Sequence, residues 1–480
     1  MVDTTVRAPG QQDEQAPVRP LWRNVQFQVL WAGQSASTLG IAVADVAYPL
    51  AILALTGSAA RAGLFAAVQA AGALAAGLPG GHLADRCDWR RIVIAAETSR
   101  ALVTGGIVAA LLLGALSLPV LLIAAALLGT GQAIASSARY LLVRAAVPPS
   151  QLTAALTQDE VRQNGAMLIG PPVGGALYAI RALAHATPFL FTAASFVLSL
   201  VTALLIRVNQ DEPRDAAAGV AATGQSADPA ASDTTAAGVP DRTAPADEPS
   251  GADPARSSAD DQAGSAAGAA AAAPATAGRG RPRLAMLEGL ATLWHQPVLR
   301  GAMLLIMMVN TVGSGLDIIL VVVLRQQAVA PAMIGLALGG GAVGGLAGAP
   351  LVPLLHRLRP GVLLLGICLL LVPVVALLAV PAGPWWAAAV LFAGMLGMPA
   401  IRVLLDVLVL RQAPADQRGR VIGAVQTLLG IGIPAGLAGS GLLLQFLPAT
   451  TAVLVLAGLL ALSVLSCAML PALRQSRWPA

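Results

Sequence analysis

"VLLLGICLLLVPVVALLAV", residues 362–380, runs nineteen positions without a charge. An α-helix needs about 20 mainly apolar residues to cross the hydrocarbon core of a bilayer, and a helix satisfies its backbone N–H and C=O groups within its own segment. The stretch therefore reads as a membrane span. "VLLIAAALLGTGQAIASSA" (120–138) is a second block of this kind, and the 480-residue chain is 56% hydrophobic with a mean hydropathy of +0.75. Soluble domains carry their apolar residues in periodic stripes instead. The expected fold is an all-α membrane protein.

Working outward, cutting the apolar blocks at charges and turn residues yields spans at 27–55, 61–83, 91–115, 118–138, 161–181 and 187–207, then 299–324, 331–355, 361–380, 384–410, 420–446 and 449–471. That pattern predicts about 12 transmembrane helices in two six-helix bundles, 27–208 and 299–472, behind a tail at 1–26 and ahead of a tail at 473–480. Between the bundles, 209–282 is rich in Ala, Pro, Ser, Asp and Gly and nearly devoid of large apolar residues. Such a composition cannot offset its ordering entropy and reads as a disordered linker. Beyond it, Leu284, Leu287, Leu290 and Trp294 recur at helical intervals, which predicts an amphipathic interfacial helix over 283–298.

Charge placement sets the expected orientation. There is no lysine, so the 29 basic residues are all arginine. Alternate loops carry Arg7, Arg19 and Arg23; Arg86, Arg90 and Arg91; Arg144; the linker arginines; Arg357 and Arg359; Arg411, Arg418 and Arg420; and Arg474 and Arg477. The opposite loops carry only Arg61, Arg181 and Arg325. Cytoplasmic loops are the arginine-rich ones, so both termini and the linker are expected inside the cell (plasma or inner) membrane. Arg139 and Arg144 are expected to mark the cytoplasmic end of the fourth span. The first twenty residues are polar, so no cleavable signal peptide is expected.

The same residues exclude several functions. A net charge of +5 and a pI near 9.8 point to nucleic acid in a soluble chain, but in a lipid-embedded one the loop bias accounts for them, and no nucleic-acid partner is expected. Cys87, Cys368 and Cys467 are widely spaced, as are His82, His185, His295 and His356, so neither a disulfide framework nor a metal site is expected. There is no HExxH, no GxSxG in a strand–turn–helix setting and no GxxxxGK[ST] loop. No catalytic residue, no cofactor and no ATP-hydrolysing domain in this chain are expected; the chain does not read as an enzyme.

The two halves carry a faint repeat. A shift of 272 positions lays Gly63 on Gly335, Leu64 on Leu336 and Asp45 of the first span on Asp317 of the seventh. Ionisable groups inside spans are expensive and default to functional candidates. Gln34, Thr38, Asp45 and Tyr48 follow one another at helical spacing, and Asn310, Ser314 and Asp317 form a shorter counterpart. Two polar stripes near mid-membrane predict a wet cavity between the halves, in which Asp45 and Asp317 contact substrate or exchange protons. Arg402 with Asp406, and Glu97 with Arg100, stand four and three apart and are expected to pair along their helices, as gate or structural pairs. Gly340, Gly344 and Gly348, like Gly170 and Gly174, recur every fourth residue and permit close helix approach.

"GGHLADRCDWRR" (80–91), "GAMLIGPPVGG" (165–175), the opening "FQVLWAGQSASTLG" and "YPLAILALTGS", and "QAPADQRGRVIG" (412–423) together resemble the major facilitator superfamily. Within it they resemble the exporter branch that includes macrolide efflux proteins and the enterobactin exporter. The resemblance implies a turn at Gly81 and a cytoplasmic latch in which Asp85, with Arg86, Arg90 and Arg91, meets Arg418 and Arg420. It also implies an exporter motif at Gly165, Gly170, Pro171, Gly174 and Gly175. Asp88 and Trp89 depart from the superfamily pattern, and the second-half copy "LLHRLRP" (354–360) lacks the acid. The implied function is secondary active transport: proton-coupled export of an amphipathic small molecule, with lipid, substrate and protons as partners. An importer or facilitator of a metabolite with the same fold is the alternative, and a non-transporting membrane sensor a further one.

Overall fold

The computed structural model describes residues 21–147, 151–180, 185–206, 297–355, 357–412 and 418–471. The linker, the C-terminal tail, all but the last residues of the interfacial helix and most of the N-terminal tail lie outside these. The described residues are helical throughout, without a strand. After a 3-10 turn at Leu21–Arg23, the first half comprises α1 (Val25–Thr56), α2 (Ala59–Arg86), α3 (Trp89–Leu112), α4 (Leu118–Ala146), α5 (Leu152–Ala179) and α6 (Thr187–Leu205). The second half comprises α7 (Pro297–Gln326), α8 (Pro331–Gly348), α9 (Val352–Leu355), α10 (Pro360–Leu377), α11 (Pro384–Met395), α12 (Met398–Gln412), α13 (Arg418–Phe446) and α14 (Ala449–Ala468).

Among the described residues, eleven spans are long and apolar enough to cross a membrane, with Pro331–Leu355 and Pro384–Leu405 each taken as one. α5 is not among them; its early turns carry Asp159, Glu160 and Arg162. It takes its place by packing, against α1 on one side and α8 on the other. Several boundaries differ from the hydropathy reading. α4 continues past 138 to Ala146, and α5 begins at Leu152 rather than 161, because polar residues that end an apolar block do not end a helix. The span expected over 384–410 breaks between α11 and α12 within "GMLGMP" (394–399), where Pro399 sits in the first turn of α12 and needs no N–H partner.

Short turns reverse the chain. α1 ends on Gly57 at φ 65°, a left-handed cap that glycine adopts without steric cost, and its N–H returns to the Leu53 carbonyl. Ser58 then caps α2 by accepting from the Arg61 N–H at 3.4 Å. The charged dozen at 80–91 behaves differently from expectation. α2 stays helical through Gly81 to Arg86, and the turn is Cys87–Asp88. A Cβ on Gly81 would meet nothing within 4 Å among the described residues, so no turn depends on it. The two departures from the superfamily pattern have local reasons. Asp88 is the N-cap of α3, accepting from the N–H groups of Arg90 (2.8 Å) and Arg91 (3.3 Å). Trp89 is buried beside Leu21, Phe27 and Leu142.

Helices of one half pack mainly among themselves: α1 on α5 and α6, α2 on α4, α3 on α4 and α6, then α7 on α13 and α14, α8 on α11, and α10 on α14. Two seams join the halves, α5 against α8 and α2 against α13, and glycines line both. A Cβ on Gly335 would lie 1.9 Å from the Pro171 carbonyl oxygen, and one on Gly63 would lie 2.5 Å from that of Leu437. The two positions matched by the 272-residue shift thus make equivalent contacts with the opposite half. Both seams lie toward the arginine-poor end of the bundle, where α1 ends and α2 starts. There Arg325 also crosses between halves, donating to the Leu50 carbonyl at 2.8 Å.

Candidate functional site

The site begins with two aspartates. Asp45 is exposed although its neighbours Ala44 and Val46 are buried, and Asp317 is exposed between buried Leu316 and Ile318. Each therefore opens onto free space from deep within a long apolar helix. Asp45 lies on α1 of the first half and Asp317 on α7 of the second. Pro49 lies inside α1 four residues after Asp45, so the Asp45 carbonyl has no helical N–H to accept from.

Beside Asp45 a small recess of about 30 Å³ penetrates the first half. Its polar wall is Asp45, Tyr48, Gln69, Arg100 and Gln132, with Thr192; its apolar wall is Ile41, Ala44, Leu128 and Phe196. Tyr48 is fixed by ring contacts with Phe65 (4.5 Å) and Phe189 (5.0 Å). Arg100 lies over the Phe196 ring, 4.0 Å from its centroid. Arg100 and Asp45 attract one another, yet no direct ion pair joins them among the described residues.

Behind the recess sits a buried ionic cluster. Glu97 is 0% exposed, Arg100 2% and Arg139 7%. Arg100 Nη1 donates to Glu97 Oε1 at 3.1 Å and to Ser37 Oγ at 3.1 Å. Arg139 Nη2 pairs with the same carboxylate oxygen and donates to Ser37 Oγ at 3.1 Å. Charges removed from water persist only when paired and hydrogen-bonded, and one glutamate here serves two guanidinium groups. Arg139 was expected at the end of the fourth span. Because α4 runs on for two more turns, it lies inside the bundle instead.

A second pair stands closer to the arginine-rich end. Arg162 binds Asp159 Oδ1 through Nε (2.9 Å) and Nη2 (2.6 Å). Its Nη1 donates to the Gln34 carbonyl at 3.1 Å and to Thr38 Oγ1. The polar stripe expected on α1 is therefore divided. Asp45 and Tyr48 face the recess, whereas Gln34 is buried and Thr38 receives Arg162.

The stripe on α7 is divided in the same way. Asn310 Nδ2 donates to the Leu429 carbonyl (3.4 Å) and Ser314 Oγ to that of Ile433 (3.1 Å), so both tie α7 to α13 and of the three only Asp317 is exposed. Arg90 is a helix cap, with Nε donating to the Ala203 carbonyl at 3.0 Å at the C-terminal end of α6. Arg91 is exposed, 3.7 Å from Asp88. Arg402 is exposed, while the side chains of Asp406, Asp85, Arg86, Arg418 and Arg420 lie outside the described residues. In the glycine motif, Gly170 and Gly174 meet Ala42 and Val43 of α1, and Gly175 and the Pro171 carbonyl meet α8. Gly165 meets nothing within 4 Å among the described residues. The sequence reading did not single out Ser37, Gln69, Gln132 or Arg162. Gln132, within the uncharged block 120–138, and Arg139, followed by "YLLV", were the available signals.

Comparison with known proteins agrees with this architecture. The chain matches the sequence profile of the Major Facilitator Superfamily over residues 30–437 and 303–479. No curated protein sequence matches it significantly. A variant of the nucleoside transporter NupG superposes with a TM-score of 0.64 at 11% identity, covering 93% of this chain and 98% of its own. A bacterial homologue of the iron transporter ferroportin, in an inward-facing state, superposes with a TM-score of 0.60 at 17% identity, covering 94% and 100%. At such identities the likeness is one of fold. With eleven described spans in two halves joined at paired seams, the chain belongs to the Major Facilitator Superfamily.

Proposed function

We propose that the protein is a proton-coupled exporter of an amphipathic small molecule working by alternating access. The observation that supports this reading is the pair of exposed mid-helix carboxylates, Asp45 and Asp317, one from each half. Enclosing carboxylates away from water is costly unless a proton or a cation neutralises them. Closure around the centre is therefore linked to proton or substrate occupancy, which is the linkage an antiporter needs. One elementary charge crossing 100 mV is worth roughly 2.3 kcal/mol, so one or two protons sustain a useful gradient.

The arginine bias makes the arginine-rich end cytoplasmic, in the cell membrane. On that orientation the seams and the Arg325–Leu50 contact close the outer face. The latch of Asp85 with Arg418 and Arg420 then belongs to the inner face. Export, and the macrolide and enterobactin branch in particular, rests on the motif at 165–175. Expression in an efflux-deficient bacterium is expected to protect against some members of a panel of amphipathic antibiotics, in an uncoupler-sensitive manner. Asp45→Asn and Asp317→Asn are each expected to abolish that protection at unchanged membrane abundance. Undiminished, uncoupler-sensitive protection in Asp45→Asn rejects the coupling role.

A further inference from the structure

We infer that Asp45 and Asp317 divide the work of coupling: Asp317 takes up the transported proton, and Asp45 stays ionised as the counter-charge of the Glu97–Arg100–Arg139 cluster. The inference rests on the transporter reading and deepens it by assigning the proton to one carboxylate of the two.

Charge balance carries the argument. Within the cluster one carboxylate meets two guanidinium groups, all three buried, so the cluster holds one positive charge in excess. Asp159 and Arg162 neutralise one another and cancel none of it. A buried charge persists only where an opposite charge or hydrogen bonds compensate it. Asp45 is placed to do so. It lines the same recess as Arg100, a space of about 30 Å³ that has room for one or two waters. The two charges attract one another across it. With Asp45 ionised, the described charges of this region balance, and a proton on Asp45 would leave the excess uncompensated in a low dielectric. Among the described residues Asp45 has no rival for this role. α6 carries no charged residue, and α2 brings the neutral Gln69 to the recess, whose remaining titratable group is Tyr48. The Asp159–Arg162 pair meets α1 at Gln34 and Thr38, about 10 Å back along the helix axis.

Asp317 has no such cation. Among the described residues no ion pair includes it. α8 and α14, which pack on α7, carry no charged residue, and α2 carries its charges at its two ends. α1 adds Asp45, a like charge, and Tyr48; α12 adds Arg402 and Asp406, four apart. The arginines of α7 itself, Arg300 and Arg325, lie about 25 and 12 Å along the axis, and Arg325 is engaged by the Leu50 carbonyl. On α13, Ser314 meets Ile433, whereas Arg418 and Arg420 stand at the start of that helix, about 20 Å away. Enclosing a carboxylate with no cation beside it recruits a proton. Closure of the protein therefore loads Asp317 and spares Asp45.

Infrared difference spectra of the full-length protein in lipid nanodiscs read this directly, without a substrate. Between weakly acidic and alkaline pH exposed carboxyls are already ionised, so a protonated-carboxyl band that disappears as pH rises reports a shielded group. The parent is expected to show one such band, lost in Asp317→Asn and retained in Asp45→Asn. Arg100→Gln leaves Glu97 paired with Arg139, so no buried charge is stranded, but it removes the excess. A second band is then expected, and Asp45→Asn in that background is expected to abolish it. Arg139→Gln leaves Glu97 paired with Arg100 and is expected to produce the same second band, whereas Arg100→Lys keeps the charge and is expected to show one band only. A band that survives Asp317→Asn overturns the proposal, as does a parent without a band, or an Arg100→Gln protein with no second one. Failure of the exporter reading is a separate result, since it appears as absent protection by the parent protein.

Discussion

Glu97 is a single carboxylate holding two buried guanidinium groups, on α3 itself and on α4. Removing one partner of a buried ionic group leaves uncompensated charge, which costs about 3–5 kcal/mol. Glu97→Gln is therefore expected to destabilise the protein by that order, seen as a sharply lower thermal midpoint of the detergent-purified protein. A midpoint within a degree or two of the parent's would show that the cluster is neutralised by some other group. Sequence spacing reveals only the local part of this arrangement. Glu97 and Arg100 are three apart on one helix, but Ser37 and Arg139 join them from far along the chain, and no periodicity carries that information. Asp45 is legible because a carboxylate in an apolar span is conspicuous. The stripe drawn through Gln34, Thr38 and Tyr48 was too uniform, because each side chain on one helix face meets a different neighbour.

At the scale of elements, the two seams are governed by the absence of side chains. Gly335 lies directly on the Pro171 carbonyl, and Gly175 on that of Pro331, where an added Cβ would be 2.0 Å away. The obstacle in each case is backbone, which cannot swing aside. Gly335→Ala is expected to prise α5 from α8 and reduce transport at least severalfold while leaving each half folded. In a background without Cys87, Cys368 and Cys467, a cysteine placed at Leu50 then becomes more reactive to a membrane-impermeant maleimide. Unaltered labelling would mean that the seam tolerates the methyl group and is not the closed gate. The loop at 80–91 teaches a related lesson. Its charge density marks a boundary correctly, but the work is shared out locally: Asp88 caps α3 and Arg90 caps α6. Asp88→Ala is expected to cost about 1 kcal/mol, the usual price of a lost N-cap, visible as a modest drop in thermal midpoint.

For the whole molecule, the arginine bias and the paired seams together describe a transporter whose halves meet at one end. The linker between them falls outside the described residues, and its composition offers few large apolar side chains to bury. Deleting 215–275 is expected to leave efflux largely unchanged, measured against the intact chain at matched abundance. A dead transporter would show that the segment does more than connect. A protease site inserted there is expected to be cut only when the cytoplasmic face is exposed, and cutting in intact cells would reverse the orientation.

The all-α membrane fold was legible in the amino-acid sequence by itself, because membrane partitioning sums local apolarity over stretches of about 20 residues; the apolar blocks predict about twelve spans, and eleven are long and apolar enough among the described residues. Which polar side chains share a space was decided only by the tertiary structure. Glu97 with Arg139, Arg162 with Thr38 and Arg325 with Leu50 meet because particular helices pack at particular rotations. Those rotations depend on glycine contacts between distant segments, a pairwise property that no single helix contains.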